Sequence, residues 1–413
     1  MTSNSILVLI TLIIVFSFLV EQVLAFLNYT RMKDPIPELL SNVYEKERYQ
    51  KSQEYNRVNY KLNLVRETIN FLVILLVLWM GGFAVADAII AKITDYAVLQ
   101  GLLFFGLLGL ASGMLSLPFG IYHTFVIEEK YGFNRTTPAT FILDLFKGLL
   151  MATVLGGGLL AAIIALYLAT GSLFWIVAWS MMTAFMVLIT FFYSSVIVPL
   201  FNKQKPLEDG LLRDSIAAFA SKAGFNLAGI FVIDGSKRST KSNAYFSGFG
   251  PQKRVVLFDT LIHDHSTDEL VAILAHEIGH YKLHHIIKGI LAGIIQNGIM
   301  FWLFSLMVGN PLLSQALGAS KPAFHLALLA FGLLYSPVSQ VTGLVMNIFS
   351  RKHEYQADAF AATRFNAVSL LTGLKKLAGN NLSNLTPHPF YVFVNYSHPP
   401  LLQRVEALLK FIS

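Results

Sequence analysis

Cysteine is missing altogether from this chain of 413 residues. That excludes disulfide bonds, thiolate nucleophiles and cysteine-ligated metals, while saying little about compartment. Charge is scarce too: 13% of residues are charged against 55% hydrophobic, with a mean hydropathy of +0.59. A soluble domain carries about 25% charged residues, so this composition excludes an ordinary water-surrounded globule and implies lipid-facing surface. Lys and Arg are absent from Met1–Asn4. The first apolar run therefore lacks the charged leader of a signal peptide, although Val23-Leu24-Ala25 looks like a cleavage site. An uncleaved membrane helix is expected there. Internal repeats and low-complexity tracts are also lacking.

Long apolar runs fill the chain instead. Seven of them, near 4–27, 68–90, 100–122, 147–170, 172–200, 286–309 and 323–349, are long enough to cross about 30 Å of hydrocarbon as helices. Lys and Arg gather in 28–66, 121–147, 201–288 and 350–413, whereas the alternate connections hold only Lys92 and Lys321. Cytoplasmic loops carry the excess of basic residues, so the N-terminus is expected outside and the C-terminus inside. The net charge of +7 follows from this asymmetry, and no nucleic-acid partner is expected. Inside the runs, Glu21, Gln296, Asn297 and the stripe Ser336, Gln340, Gly343 and Asn347 are polar. Such groups face protein or water rather than lipid, either bonding across helices or lining a wet chamber.

The two large basic segments look like one catalytic head. Residues 201–285 read as α+β: an amphipathic helix near 207–223, a strand at Ile230–Ile233, and a hairpin of Ala244–Phe249 with Arg254–Phe258 around Gly250-Pro251-Gln252. Ser266 and Glu269 then form a capping-box pattern ahead of an apolar helix face. This helix carries His276-Glu277-Ile278-Gly279-His280 and is expected to run through Lys282, His284 and His285 straight into the sixth span. Residues 350–413 read as helical, with a Pro- and Asn-rich interruption at 380–400. The expected division is a membrane domain at 1–200 and a peptidase domain at 201–413 that includes the last two spans. Neither basic segment is long enough for a comfortable domain alone, so they are expected to fold together.

His276 and His280 are four apart, one turn up the same helix face. Two imidazoles so placed converge on one Zn²⁺, with Glu277 beside them as general base. A zinc hydrolase needs a third protein ligand. A metzincin would place a histidine at position 286, which is Ile286 here. His284 lies two turns from His276, too far to share the ion easily. Glu354 and Asp358 in Ser350-Arg351-Lys352-His353-Glu354-Tyr355-Gln356-Ala357-Asp358 are again four apart. One carboxylate can ligate while the other orients a histidine ring. A solvated acidic face beside Arg351 and Lys352 is the plainer reading of that pair. The HExxH motif on the same membrane side favours the ligand.

These motifs together resemble the CAAX prenyl protease 1 family of integral-membrane zinc endopeptidases. The resemblance rests on His276–His280, on 350–358, and on Ser397-His398-Pro399-Pro400 followed by Arg404. It extends to Pro118-Phe119, to Tyr122–Asn134 and to Ser242-Asn243-Ala244-Tyr245, and so to nearly the whole chain. It implies a mainly α, polytopic fold: seven transmembrane helices forming a barrel around a chamber, closed by a small α+β zinc-protease domain of gluzincin type on the cytoplasmic side. It further implies one Zn²⁺ on His276, His280 and Glu354, catalysis by Glu277, support from Asp358, and oxyanion stabilisation by His398 and Arg404. Asn243, Ala244 and Tyr245 would hold an extended peptide by strand addition. The expected partners are the bilayer and a peptide or protein substrate, prenylated or otherwise membrane-associated, met by a monomer. The terminal Phe411-Ile412-Ser413 shows no obvious endoplasmic-reticulum retrieval signal, which points to a bacterial plasma membrane, with the endoplasmic-reticulum membrane the alternative for a eukaryotic source.

Other classes fit less well. A quality-control protease without a prenyl requirement would share the same centre. A site-2-type intramembrane protease would bury HExxH in an apolar span, whereas Asp264, His265, Asp268, Lys282 and His284 surround it here. A transporter or scaffold explains the spans but not the two metal-ligand patterns.

Overall fold

The computed structural model describes residues 2–225, 227, 229–247 and 254–412. Six helical runs in it are long and apolar enough to cross a membrane: Ser3–Arg31, Lys46–Trp79, Ala97–Tyr131, Pro138–Phe201, His285–Met307 and Phe324–Asn380. Large apolar side chains such as Leu12, Phe16, Met114 and Phe146 stand exposed on them, as a bilayer-facing surface requires. The chain is therefore a mainly helical, multi-pass membrane protein. Pro138–Phe201 has 64 residues and would measure roughly 100 Å if straight. It breaks at Gly171, where φ is +52°. The arms Gly158–Thr170 and Phe174–Phe192 pack on each other, with Tyr167 and Phe174 edge to face at 5.3 Å.

The second span differs from expectation. The sequence predicts one helix over 68–90, but the helix runs Lys46–Trp79 and a separate short helix covers Gly82–Ala91. Gly81 sits between them in the left-handed region, with φ +67°. A side chain with a Cβ rarely adopts that conformation, so glycine marks the break. The charged stretch from Lys46 is helical as well, so apolar composition located the lipid-facing half only.

In the head, β1 (Gln204–Pro206), β2 (Gly229–Ile233), β3 (Ala244–Ser247) and β4 (Arg254–Phe258) form one sheet in the order β1-β2-β4-β3. β2 and β4 are parallel, and the other pairs antiparallel. The expected hairpin is seen as β3 against β4, with Ala244 opposite Leu257. Its turn, with Phe249, lies outside the described residues. Val255, Val256 and Leu257 are fully buried, as the alternation-free apolar run of a central strand requires. β3 takes the sheet edge beside the site.

The head core draws on both halves of the chain. Leu40, Tyr44, Tyr49, Ile127 and Phe133 pack in one cluster with Ile216, Leu257, Leu270, Leu374 and Leu408. Polar clamps reinforce this. Lys241 Nζ lies 2.9 Å from Glu128 Oε2 and donates to Tyr55 Oη at 2.8 Å, while Arg238 Nε lies 2.7 Å from Asp144 Oδ2. The Tyr122–Asn134 stretch thus anchors the segment that leads into β3.

Candidate metal centre

Two helices build the centre. The motif helix (Thr267–Lys282) begins with a complete capping box: Ser266 Oγ accepts the Glu269 N–H at 3.3 Å, and Glu269 Oε2 accepts the Ser266 N–H at 2.8 Å. Two of the otherwise orphaned N-terminal donors are thereby satisfied. The carboxylate helix (Phe324–Ala361) leaves the apolar run and continues as helix through Glu354 and Asp358. The helices meet at Gly279, between the two motif histidines. A Cβ there would lie 3.2 Å from Ala357 Cα and 3.2 Å from Phe360 Cβ. A side chain there would press on both neighbours and push the helices apart by a few tenths of an ångström, so glycine favours the close approach that puts Glu354 beside both imidazoles.

The donor atoms converge. One ligand atom each from His276, His280 and Glu354 lie within 4.8 Å of one another. His276 Nε2 and His280 Nε2 face each other at 3.1 Å. His276 Nε2 lies 3.4 Å from Glu354 Oε2, and His280 Nε2 lies 3.2 Å from Glu354 Oε1. Glu354 Oε2 is buried without a hydrogen bond. Its only compensation among the described residues is the longer-range charge of His276 at 3.4 Å and of Arg404 Nη1 at 3.8 Å, so a further positive group is favoured there. Burial opposes the charge on Glu354, but His276 and His280 more than offset it and hold the carboxyl far below its ordinary range. Burial likewise opposes a charged His276, yet Asp358 and Glu354 push that imidazole up to about 9. The pocket attracts positive charge. Two imidazole nitrogens and one carboxylate oxygen, with an orphaned oxygen among them, fit the ligand set of a catalytic zinc site.

Each histidine is held from behind. His276 Nδ1 lies 2.8 Å from Asp358 Oδ1, so the ring donates there and turns Nε2 to the centre. Asp358 is 1% exposed. Its burial favours the neutral acid, but Arg404 and His276 outweigh that and keep it below the usual carboxylate range. Arg404 binds it with both arms, Nε to Oδ2 at 2.9 Å and Nη2 to Oδ1 at 2.6 Å. His280 Nδ1 lies 3.1 Å from His285 Nδ1, and His285 Nε2 lies 2.9 Å from Gln356 Oε1.

That second support departs from the sequence reading. The motif helix does not run straight into the sixth span: it ends at Lys282, and a new helix starts at His285. His284 between them is left-handed, with φ +58°, and this turn brings His285 back onto His280. A histidine five residues beyond His280 was the available signal. It is invisible as long as the helix is taken to continue.

The remaining expected residues fall around one cavity of about 960 Å³, lined by Asn243, Ala244, His276, Glu277, His398 and Arg404 among others. Glu277 has no hydrogen-bond or ion-pair partner among the described residues. His398, 63% exposed, reaches within 3.3 Å of Glu354 Oε1. Its loop is fixed by Arg351, which donates to the carbonyls of Val392, Phe393 and Tyr396 at 3.2, 3.2 and 2.5 Å. Tyr245 lies outside the cavity lining, and its hydroxyl accepts from Gln204 Nε2 at 3.3 Å.

Comparison with known proteins agrees over the full length. Residues 25–203 match the family model described as CAAX prenyl protease N-terminal, five membrane helices, and 206–412 match Peptidase family M48. The chain is 35% identical to the CAAX prenyl protease 1 homolog of Oryza sativa, covering 95% of this chain and 94% of that one. It is 34% identical to CAAX prenyl protease 1 of Saccharomyces cerevisiae, covering 95% and 92%. The homolog from Homo sapiens is 31% identical, with 90% and 88% covered. Among solved structures, the crystal structure of S. mikatae Ste24p superposes with a TM-score of 0.93 at 32% identity, covering 98% of this chain and 99% of the other.

Proposed function

The chain belongs to the CAAX prenyl protease 1 family and is a membrane metalloendopeptidase, and from that premise we propose that its ion is one zinc and its substrates are membrane-associated polypeptides of the prenylated, CAAX type, cut near their C-terminus. His276, His280 and Glu354 hold the metal. Bound there, zinc supplies Lewis acidity, lowering the pKa of water towards 7 and polarising a carbonyl. Glu277 accepts the proton of the attacking water and passes it to the leaving amine. Asp358 keeps the His276 ring in the ligating tautomer, and Arg404 holds Asp358 ionised. His398 donates to the oxyanion that develops on the scissile carbonyl, with the Arg404 guanidinium, whose Nη1 lies 3.8 Å from Glu354 Oε2, adding positive charge behind it. The peptide adds to the edge of β3, meeting the backbone of Asn243 and Ala244, with Tyr245 as strand backbone rather than as a cavity wall.

The observation that carries this reading is the convergence of three donors around an orphaned oxygen, with an unpaired Glu277 next to them in the same cavity. A structural metal site has no use for that glutamate. The membrane part follows the same reading. The Pro138–Phe201 run crosses twice and the others once, giving seven crossings around a chamber below the site, with a membrane half of 1–200 and a peptidase half of 201–413. The catalytic head and C-terminus then lie in the cytoplasm. Because the chain has no native cysteine, single cysteines at Lys92 and Lys222 report sidedness directly. Position 92 labels from outside and 222 from inside; the reverse overturns the topology.

Mass spectrometry of products from matched farnesylated and unprenylated CAAX peptides tests the activity. Wild type and Glu277→Gln are run in parallel, with and without a zinc chelator. Chelator-sensitive cleavage by wild type alone, faster on the farnesylated peptide, is expected. Equal cleavage of both peptides would instead indicate a membrane quality-control protease with no prenyl requirement. No cleavage of either by zinc-loaded protein would overturn the substrate class.

A further inference from the structure

The two ligating histidines are supported by chemically different partners. Behind His276 stands a charged carboxylate, which can only accept. Behind His280 stand an imidazole and then a primary amide, and these can run either way. His285 is 5% exposed and stacks on His353 with ring centroids 4.0 Å apart and planes 10° from parallel. The ring is held in place, and its two nitrogens are committed to His280 Nδ1 at 3.1 Å and Gln356 Oε1 at 2.9 Å.

A neutral imidazole has one N–H and one lone pair, so such a chain has two polarities. In the first, Gln356 Oε1 accepts from His285 Nε2–H, His285 Nδ1 accepts from His280 Nδ1–H, and His280 Nε2 keeps its lone pair facing Glu354 and His276. In the second, the Gln356 amide nitrogen donates to His285 Nε2, His285 Nδ1–H donates to His280 Nδ1, and His280 Nε2 carries the proton. A protonated Nε2 cannot ligate. We infer that His285 and Gln356 are positioning residues that set the tautomer of His280, with the amide oxygen of Gln356 starting a relay that ends in a ligating lone pair. Gln356 lies two residues from Glu354 on the carboxylate helix, so one helix supplies a ligand directly and controls a second ligand through His285. This inference rests on the zinc reading above.

An acceptor-for-donor swap at position 356 tests it in the full-length enzyme in detergent. The readouts are Zn²⁺ affinity by chelator competition and the visible absorption of the Co²⁺-substituted protein. Gln356→Glu can only accept and should keep or tighten affinity. Gln356→Lys can only donate and should weaken it about 10–100-fold, the range seen when partners of metal ligands are lost. Charge alone also favours the glutamate. The comparison is therefore repeated in a His285→Leu background, which keeps the charge and removes the relay. The gap between the Glu and Lys variants should shrink there to the charge effect. His285→Leu by itself should weaken zinc and alter the cobalt spectrum, and His285→Gln, whose amide oxygen can accept from His280, should restore both. Equal affinities for the Glu and Lys variants, or a gap unchanged by His285→Leu, would overturn the relay and leave the zinc reading standing. Failure of wild type to bind either metal, or binding indifferent to Glu354→Ala, would overturn the zinc reading itself.

Discussion

The motif helix and the first membrane helix are both rich in apolar residues, and they use them in opposite ways. In Thr267–Lys282, every residue from Glu269 to Gly279 except Glu277 is buried. In the longer Ser3–Arg31, only Ile6, Ile10, Leu24 and Asn28 are. Side chains in the first case meet neighbours on all sides, so each has a fixed position to fill and small changes propagate to the metal centre. In the second, few side chains are enclosed, and at those that face outward one apolar residue serves as well as another. Identity matters in the head, and composition matters in the spans. Substitutions should therefore differ by orders of magnitude between the two regions.

The sharpest break is expected from Glu354→Ala. It removes one of three donors and the counter-charge shared by both imidazoles, so purified protein should lose its metal and all cleavage with it. Metal content by mass spectrometry checks this, and full occupancy would sink the ligand assignment. Glu277→Gln comes next. The side chain faces the cavity and holds nothing in place, so metal content and thermal unfolding should match wild type while cleavage falls about 10²–10⁴-fold. Loss of metal along with activity would mean that Glu277 is structural. Asp358→Asn should do less to activity but more to affinity. The ring of His276 loses an acceptor-only partner and Arg404 loses its carboxylate, so zinc should bind about 10–100-fold more weakly. Chelator titration measures it, and unchanged affinity would reduce Asp358 to a packing residue.

The same contrast explains what could be read before any coordinates. Spacing survives in sequence because a helix puts residues four apart on one face, which is why the pairs His276/His280 and Glu354/Asp358 could be read as neighbours. Apolar runs survive as well: the seven map onto six long helical runs, Pro138–Phe201 holding two of them. Neither signal reports where a helix stops. Gly81 and His284 adopt left-handed backbone inside long apolar or helical stretches. The Gly81-Gly82 pair was a breaker signal that apolar length overrode, so the second span was drawn too far, while nothing marked the stop at His284 and His285 was read past. The approach of Gly279 to Ala357 is a contact between residues 78 apart in sequence, and no local pattern encodes it. Gln356 stood within a recognised motif, but its partner is a histidine on another helix. The role of Arg351 was not legible for the same reason: its acceptors are carbonyls more than forty residues away.

The smallest effect should come from the spans, where the two accounts of their polar groups still part company. Gln296 Nε2 donates to Thr342 Oγ1 at 3.0 Å, and Asn347 Nδ2 donates to the Val394 carbonyl at 2.7 Å. These bonds favour interhelical ties for both residues, while Gln340 of the same stripe stays exposed. A hydrogen bond between membrane helices is worth about 0.6 kcal/mol on average. Gln296→Leu should therefore lower thermal stability slightly and leave zinc affinity and cleavage unchanged. Should it instead slow cleavage sharply while zinc stays bound, Gln296 would be serving a wet passage for substrate rather than a tie between helices. The spans would then share the positional strictness of the head, and the contrast between the two regions would fail at that residue first.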